Sequence, residues 1–327
     1  MVWIDVTVPT VQGCVFHSTP TIEYRMSKKT LIIGLLTSVV LFMGCGVTLV
    51  FGLALAVAQQ AMLPKLETVV YGTSPDGQEL KLDLARGPAG KPPAPFILWI
   101  HGGGWQRGDR KDYHSSVQGF AKLGWAGATV QYRLAPKHKF PAQIDDVRMA
   151  LTFLREHAKE YNFDPDRIAV CGGSAGGHLS LLLALAPDKD GKVAPGIRAV
   201  VSYAGPADFR TWRVDAVGEK WLKTVNPRGL DGLISDFVGT TDRTAPVMTE
   251  VSPVAHIKAG VPPVLSLQGG ADPLVPPQQA QELHAALKKA GVVEKLVVYE
   301  GGGHGLAGEQ ATKAVREMVE FLDKHVR

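Results

Sequence analysis

Ser174 stands in Gly172-Gly173-Ser174-Ala175-Gly176, directly after the apolar run Arg167–Cys171 and before the helix-forming stretch Leu179–Ala186. A G-x-S-x-G turn between strand and helix holds its serine on a sharp, strained elbow with the hydroxyl exposed. Glycines two before and two after are needed there, because Cβ atoms would clash across the turn. The helix N-terminus behind the serine favours negative charge developing beside it. On its own the motif is also compatible with a glycine-rich turn carrying an incidental serine. A dinucleotide loop does not fit, because Ser174 takes the middle glycine position of G-x-G-x-x-G and the loop comes after several β units.

A second glycine run, His101-Gly102-Gly103-Gly104-Trp105, comes after the apolar stretch ending at Ile100. Three glycines there let backbone N–H groups point into a cleft, as stabilisation of an oxyanion requires. His101 itself reads as a brace for the loop rather than a base. Asp272 ends Gly269-Gly270-Ala271-Asp272, and His304 lies in Gly301-Gly302-Gly303-His304-Gly305. Each stands after an apolar run, and open α/β sheets carry their sites just past the carboxyl ends of strands. The order Ser174, Asp272, His304 suits a nucleophile, an orienting acid and a base.

The elements that must hold these residues alternate in type. Leu66–Gly72 and Glu79–Ala85 flank Ser74-Pro75-Asp76-Gly77 and predict a hairpin. Phe96–Ile100, Ala126–Tyr132, Arg167–Cys171, Ile197–Tyr203, Pro263–Leu267 and Lys295–Tyr299 are continuous apolar runs, as strands buried on both faces should be. Gln143–Tyr161, Pro277–Ala290 and Ala311–His325 repeat apolar residues at helical spacing. The pattern predicts an α/β fold: a mostly parallel sheet, an antiparallel N-terminal edge, and helices on both faces. Residues 205–261 show no strand pattern but carry Phe209, Trp212, Trp221 and Phe237, which suits an insertion or lid.

The 327 residues, 45% of them hydrophobic, exclude a disordered chain, and 36 Gly with 22 Pro in no repeat exclude a collagen-like one. A net charge of +4 with dispersed basic residues offers no nucleic-acid footprint. Cys14 and Cys45 lie in the N-terminal region, so the remainder holds one thiol, Cys171, placed as a buried strand residue. Leu31–Ala58 is uncharged and comes after Arg25, Lys28 and Lys29. Residues 30–58 therefore read as a hydrophobic helix, a transmembrane anchor or long signal peptide, with the downstream chain exported. Ala56-Val57-Ala58 offers a cleavage site, after which the protein would be secreted. Residues 1–29 form a leader, with Met26 as an alternative start, and 59–327 form one catalytic domain.

These motifs together resemble the α/β-hydrolase fold, specifically the HGGGW-bearing esterases related to hormone-sensitive lipase and acetyl-xylan esterase. The resemblance covers roughly Glu67 to Lys324 and extends to Tyr132-Arg133-Leu134-Ala135-Pro136, Phe140-Pro141-Ala142 with Asp145, Ser252-Pro253, and Asp272-Pro273-Leu274-Val275-Pro276. It implies Ser174 as nucleophile, His304 as general base and Asp272 as orienting acid. The N–H groups of Gly103, Gly104 and Ala175 would form the oxyanion hole. No metal and no organic cofactor is implied. Many relatives carry His-Gly where this chain has Gln268-Gly269, a departure outside the triad that bears on subgroup.

The expected activity is an exported or membrane-anchored serine carboxylester hydrolase of the cell envelope, acting outside the cytoplasm on small acyl esters, carbohydrate acetyl or feruloyl esters among them. Alternatives are an amide hydrolase of arylformamidase or peptidase type and a catalytically inactive binding module. Expected partners are a small-molecule or carbohydrate ester and, through the N-terminal helix, a membrane. Among other residues, Asp145 and Asp146 read as first-turn charges or braces for Arg133. Asp188-Lys189-Asp190-Gly191 reads as a solvated turn and His178 as a packing residue. Trp105, Trp212 and Trp221 are candidates for pocket wall or core.

Overall fold

A computed structural model describes residues 63–327. The expected leader, the hydrophobic helix over 30–58, Cys14 and Cys45 lie outside the described residues. Among the described residues, no helix is long and apolar enough to cross a membrane.

Eight strands form one sheet: β1 (Glu67–Thr73), β2 (Glu79–Ala85), β3 (Ala94–Ile100), β4 (Ala126–Val130), β5 (Phe163–Gly173), β6 (Ile197–Tyr203), β7 (Val264–Gly269) and β8 (Glu294–Tyr299). Their order is β1-β2-β4-β3-β5-β6-β7-β8. β2 pairs antiparallel with both β1 and β4, and every later pairing is parallel. The expected antiparallel N-terminal edge is thus produced by β2 alone running backwards.

Burial explains the apolar runs. Every residue of β3, β4 and β7 is buried, whereas β1 and β8, at the two edges, mix buried and exposed positions. Strand side chains alternate between faces. Phe96, Leu98 and Ile100 of β3 accordingly join one hydrophobic cluster, while Ile97 and Trp99 join the other. The first cluster takes residues from α2 (Ala142–Glu156), α3 (Ala175–Leu185) and α7 (Pro277–Lys289). The second takes residues from α1 (His114–Lys122) and α8 (Gly308–His325). Helices therefore cover both faces. All eleven residues of α3 are buried, so this helix lacks a polar stripe.

Residues 205–261 contain α4 (Ala216–Leu222), α5 (Gly229–Val238), α6 (Pro246–Glu250) and a 3₁₀ turn over Pro253–His256, with no strand. Phe209, Trp212 and Phe237 are buried in the first cluster, whereas Trp221 is 43% exposed.

The first strand points toward the edge of the sheet at which Ser174 stands. Glu67 pairs with Leu84, Leu84 with Ala128, and Ala128 with Leu98, so β1 begins at mid-sheet and runs parallel to β3 and β4. Just before β1, the Pro64 carbonyl accepts from the side chain of Gln118, midway along α1, at 3.1 Å.

Candidate active site

β5 ends at Gly173 and α3 starts at Ala175, so a single residue makes the turn. That residue, Ser174, has φ 55° and ψ −121°, a backbone region that L side chains rarely adopt. The turn is held by its own backbone: Ser174 N–H donates to the Tyr203 carbonyl at 2.7 Å, and His178 N–H to the Ser174 carbonyl at 3.0 Å. A Cβ on Gly172 would meet the Gly176 carbonyl carbon at 2.4 Å, and one on Gly176 would meet the Ile100 oxygen at 1.9 Å. The paired glycines of the motif are thus required by backbone contact.

The loop after β3 lies against this elbow. A Cβ on Gly102 would stand 2.8 Å from the Gly173 oxygen, and Gly103 and Gly104 have φ of 101° and 61°. Glycine alone enters that region without steric cost. His101 braces the loop: its ring stacks on Tyr132 at 4.1 Å between centroids, and its Nδ1 donates to the Gly102 carbonyl at 2.9 Å. The Tyr132 hydroxyl donates to the His101 carbonyl at 2.9 Å. Burial holds the His101 ring below its ordinary pKa, so it stays neutral.

Asp272 lies just past β7 and its side chain is fully enclosed. Its Oδ1 accepts the N–H groups of Leu274 at 2.9 Å and Val275 at 3.0 Å. Its Oδ2 accepts from His304 Nδ1 at 2.8 Å and Gln268 Nε2 at 3.1 Å. With Nδ1–H given to the carboxylate, His304 keeps Nε2 as its basic nitrogen. His304 sits in the loop after β8 with its side chain 20% exposed. Ser174, Asp272 and His304 therefore share the carboxyl edge of the sheet, at the ends of β5, β7 and β8. The glycine loop and Ala175 flank the serine.

Sequence alone gives Gln268 as a departure that bears on subgroup, and the structure adds a contact with the acid. It is buried and touches Asp272 directly. The backbone at Asp272 turns back on itself through its two N–H bonds, which returns the carboxylate to the side chain four residues earlier.

Residues 205–261 are fastened to the turn at Asp272, to the glycine loop and to α7. Trp212 Nε1 donates to the Leu274 carbonyl at 2.9 Å, beside Asp272. Phe237 stacks on Trp105 with centroids 4.2 Å apart. The N–H groups of Ala207 and Asp208 both donate to Gln279 Oε1, at 2.9 and 2.8 Å. A cleft of about 350 Å³ within the segment is lined by Arg213, Arg243, Asp231, Glu219 and Leu230. None of the triad candidates lines it. Trp105 and Trp212 are core aromatics facing each other at 6.3 Å, while the partly exposed Trp221 lies outside that cluster.

The remaining candidates fall into structural roles. Asp146, wholly buried, clamps Arg133 through both oxygens and also accepts the Arg133 backbone N–H at 2.8 Å. Asp145 instead faces Arg148 at 3.6 Å. Asp188 caps its own turn by accepting from Asp190 and Lys192 N–H. Cys171 is buried, which pushes its thiol pKa up and leaves it unreactive.

The sheet order, the one-residue elbow and the loops at the carboxyl edge define an α/β-hydrolase. The family model described as BD-FAE matches residues 82–287, and the chain belongs to that family. It is 38% identical over 216 residues to the probable carboxylic ester hydrolase LipM of Mycobacterium tuberculosis, covering 63% of this chain and 47% of LipM. It is 30% identical to the carboxylic ester hydrolase LipN of the same organism, covering 73% of this chain and 69% of LipN. The chain spans about half the length of LipM and of the M. tuberculosis esterase LipQ. Among solved structures, butyrate-bound esterase Est2 of Thermogutta terrifontis matches with a TM-score of 0.64 and 29% identity, covering 80% of this chain and 95% of Est2. The same esterase phosphorylated by paraoxon matches with a TM-score of 0.65 and 27% identity, over the same 80% and 95%.

Proposed function

We propose that the chain is a serine carboxylester hydrolase that works through an acyl-enzyme on esters of small acyl groups. The observation that carries this is the His304 Nδ1–Asp272 Oδ2 hydrogen bond of 2.8 Å at the sheet edge where Ser174 tops its strained elbow. Support comes also from relatives named as ester hydrolases, and from Est2, recorded with butyrate and with a paraoxon-derived phosphoryl group.

In this mechanism, Ser174 Oγ bonds to the ester carbonyl carbon as its proton passes to His304 Nε2. The N–H groups of Gly103, Gly104 and Ala175 receive the tetrahedral oxyanion, aided by the N-terminus of α3. Asp272, supplied with four hydrogen bonds, keeps the imidazole in the Nδ1–H tautomer and stabilises the imidazolium. Collapse breaks the bond to the alcohol, which leaves with the proton from His304. Water then attacks the acyl-enzyme while His304 takes its proton, and the acid is released as Ser174 recovers its hydrogen.

Carbohydrate acetyl or feruloyl esters belong to this substrate class. The charge-flanked apolar run before Gln59 supports a location in the cell envelope, with the catalytic domain outside the cytoplasm, or secretion after cleavage at Ala58.

The test is turnover of p-nitrophenyl acetate and butyrate, acetylated xylan, a feruloyl ester and N-formylkynurenine by wild type and Ser174→Ala. Ester hydrolysis together with fluorophosphonate labelling is expected for wild type and neither for the variant. Hydrolysis of N-formylkynurenine without any ester turnover would transfer the site to amide chemistry.

A further inference from the structure

The contacts of Gln268 point beyond the three triad candidates. Its side chain is 1% exposed and lies at the end of β7. The amide nitrogen faces three oxygens: Asp272 Oδ2 at 3.1 Å, the Val275 carbonyl at 3.0 Å and the Gly269 carbonyl at 3.2 Å. Three acceptors fix the orientation of the amide, since a flipped group would press its oxygen against all of them. The cost is visible on the other side, where Oε1 is buried with no hydrogen-bond partner. An apolar residue would avoid that loss, and retention of the amide therefore goes with a use for its donor.

We propose that Gln268 is a positioning residue of the reaction, acting through Asp272. Its N–H shares Oδ2 with His304 and ties the same oxygen's surroundings to the Val275 carbonyl, while Val275 N–H holds Oδ1. The carboxylate is thereby held from two directions in the plane that faces the imidazole. Without the amide, Oδ2 keeps a single partner, and only the Oδ1 bonds to Leu274 and Val275 N–H oppose a tilt of the carboxylate away from His304 Nδ1. The effect falls on activation of Ser174 rather than on capture of substrate. The inference rests on the serine-hydrolase reading of the site.

The experiment uses the full chain, with kcat and KM for p-nitrophenyl acetate, the rate constant of fluorophosphonate labelling, and thermal melting. Gln268→Met keeps the volume and removes the donor, and Gln268→His keeps a ring N–H donor. In folded Gln268→Met, kcat and the labelling rate should each fall about tenfold or more with KM little changed, the scale of one hydrogen bond to a charged group. Gln268→His should recover most of both. Wild-type kcat and labelling in folded Gln268→Met would overturn the proposal. If the Met variant does not fold, the His variant decides: near-wild-type labelling supports the role, and a folded His variant as slow as about a tenth of wild type overturns it. Failure of the wild-type chain to label at all would instead remove the serine-hydrolase reading, which distinguishes the two.

Discussion

Trp105 Nε1 donates to His178 Nδ1 across 3.2 Å, joining the glycine loop after β3 to the helix that begins behind Ser174. The other nitrogen of the ring, Nε2, donates to the Val251 carbonyl at 2.7 Å, which belongs to the 205–261 segment. One neutral imidazole therefore ties together three parts of the site that lie far apart in the chain. Trp105 itself has φ 59°, so its backbone resists the conformation the loop imposes and depends on such fastening.

Removal of that tie should be felt in catalysis more than in substrate capture. His178→Phe keeps ring volume and loses both bonds. The expected result is a fall of about tenfold or more in kcat with KM little altered, in a protein whose far-UV spectrum is unchanged. Unchanged kcat in the folded variant would show that the glycine loop holds its shape without the bond.

The same ring sets a pH dependence of stability. Burial pushes the His178 pKa from 6.5 down to about 3. The unfolded chain then binds the proton more readily than the native one, so this stability is complete above about pH 6.5. It drains away as pH falls toward 3, by up to ~5 kcal/mol. Buried His101 and His284 act in the same direction. Urea midpoints measured between pH 7 and pH 4 should fall more steeply for wild type than for His178→Phe. Parallel slopes would mean that His178 takes up its proton in the native state.

Strain at the elbow can be measured without reference to activity. Ser174→Ala keeps the Cβ and therefore the strained backbone at φ 55°. Ser174→Gly relieves it, and should be more stable than the Ala variant by roughly 1 kcal/mol after the entropy cost of glycine. A less stable glycine variant would show that the turn is unstrained.

Much of the sheet is legible in the sequence because burial on both faces leaves unmistakable apolar runs, as in Phe96–Ile100. The start of β5 is not, because Phe163-Asp164-Pro165-Asp166 is mixed in character and joins the sheet through Phe163 pairing with Ala94. Helix α1 escapes for want of a stripe: Val117 and Phe120 are its only large buried side chains. In α4 the pattern is inverted, with Gly218 buried and Val217 and Trp221 exposed. Within the site, motif and chain order point to Ser174, Asp272 and His304 because each comes after a strand. Gln268 is hidden because its importance is a contact created by the turn at Asp272. The partners of His178 are hidden for a similar reason, lying 73 residues away on either side.

The contact between Gln118 and Pro64 sits at one flank of the sheet, beside β1, β2 and β4, whereas Asp272 and His304 follow β7 and β8 at the opposite flank. Strands β3, β5 and β6 stand between the two like a wall between rooms. A substitution at Pro64 or Gln118 is thereby kept at a distance from the Asp272–His304 pair.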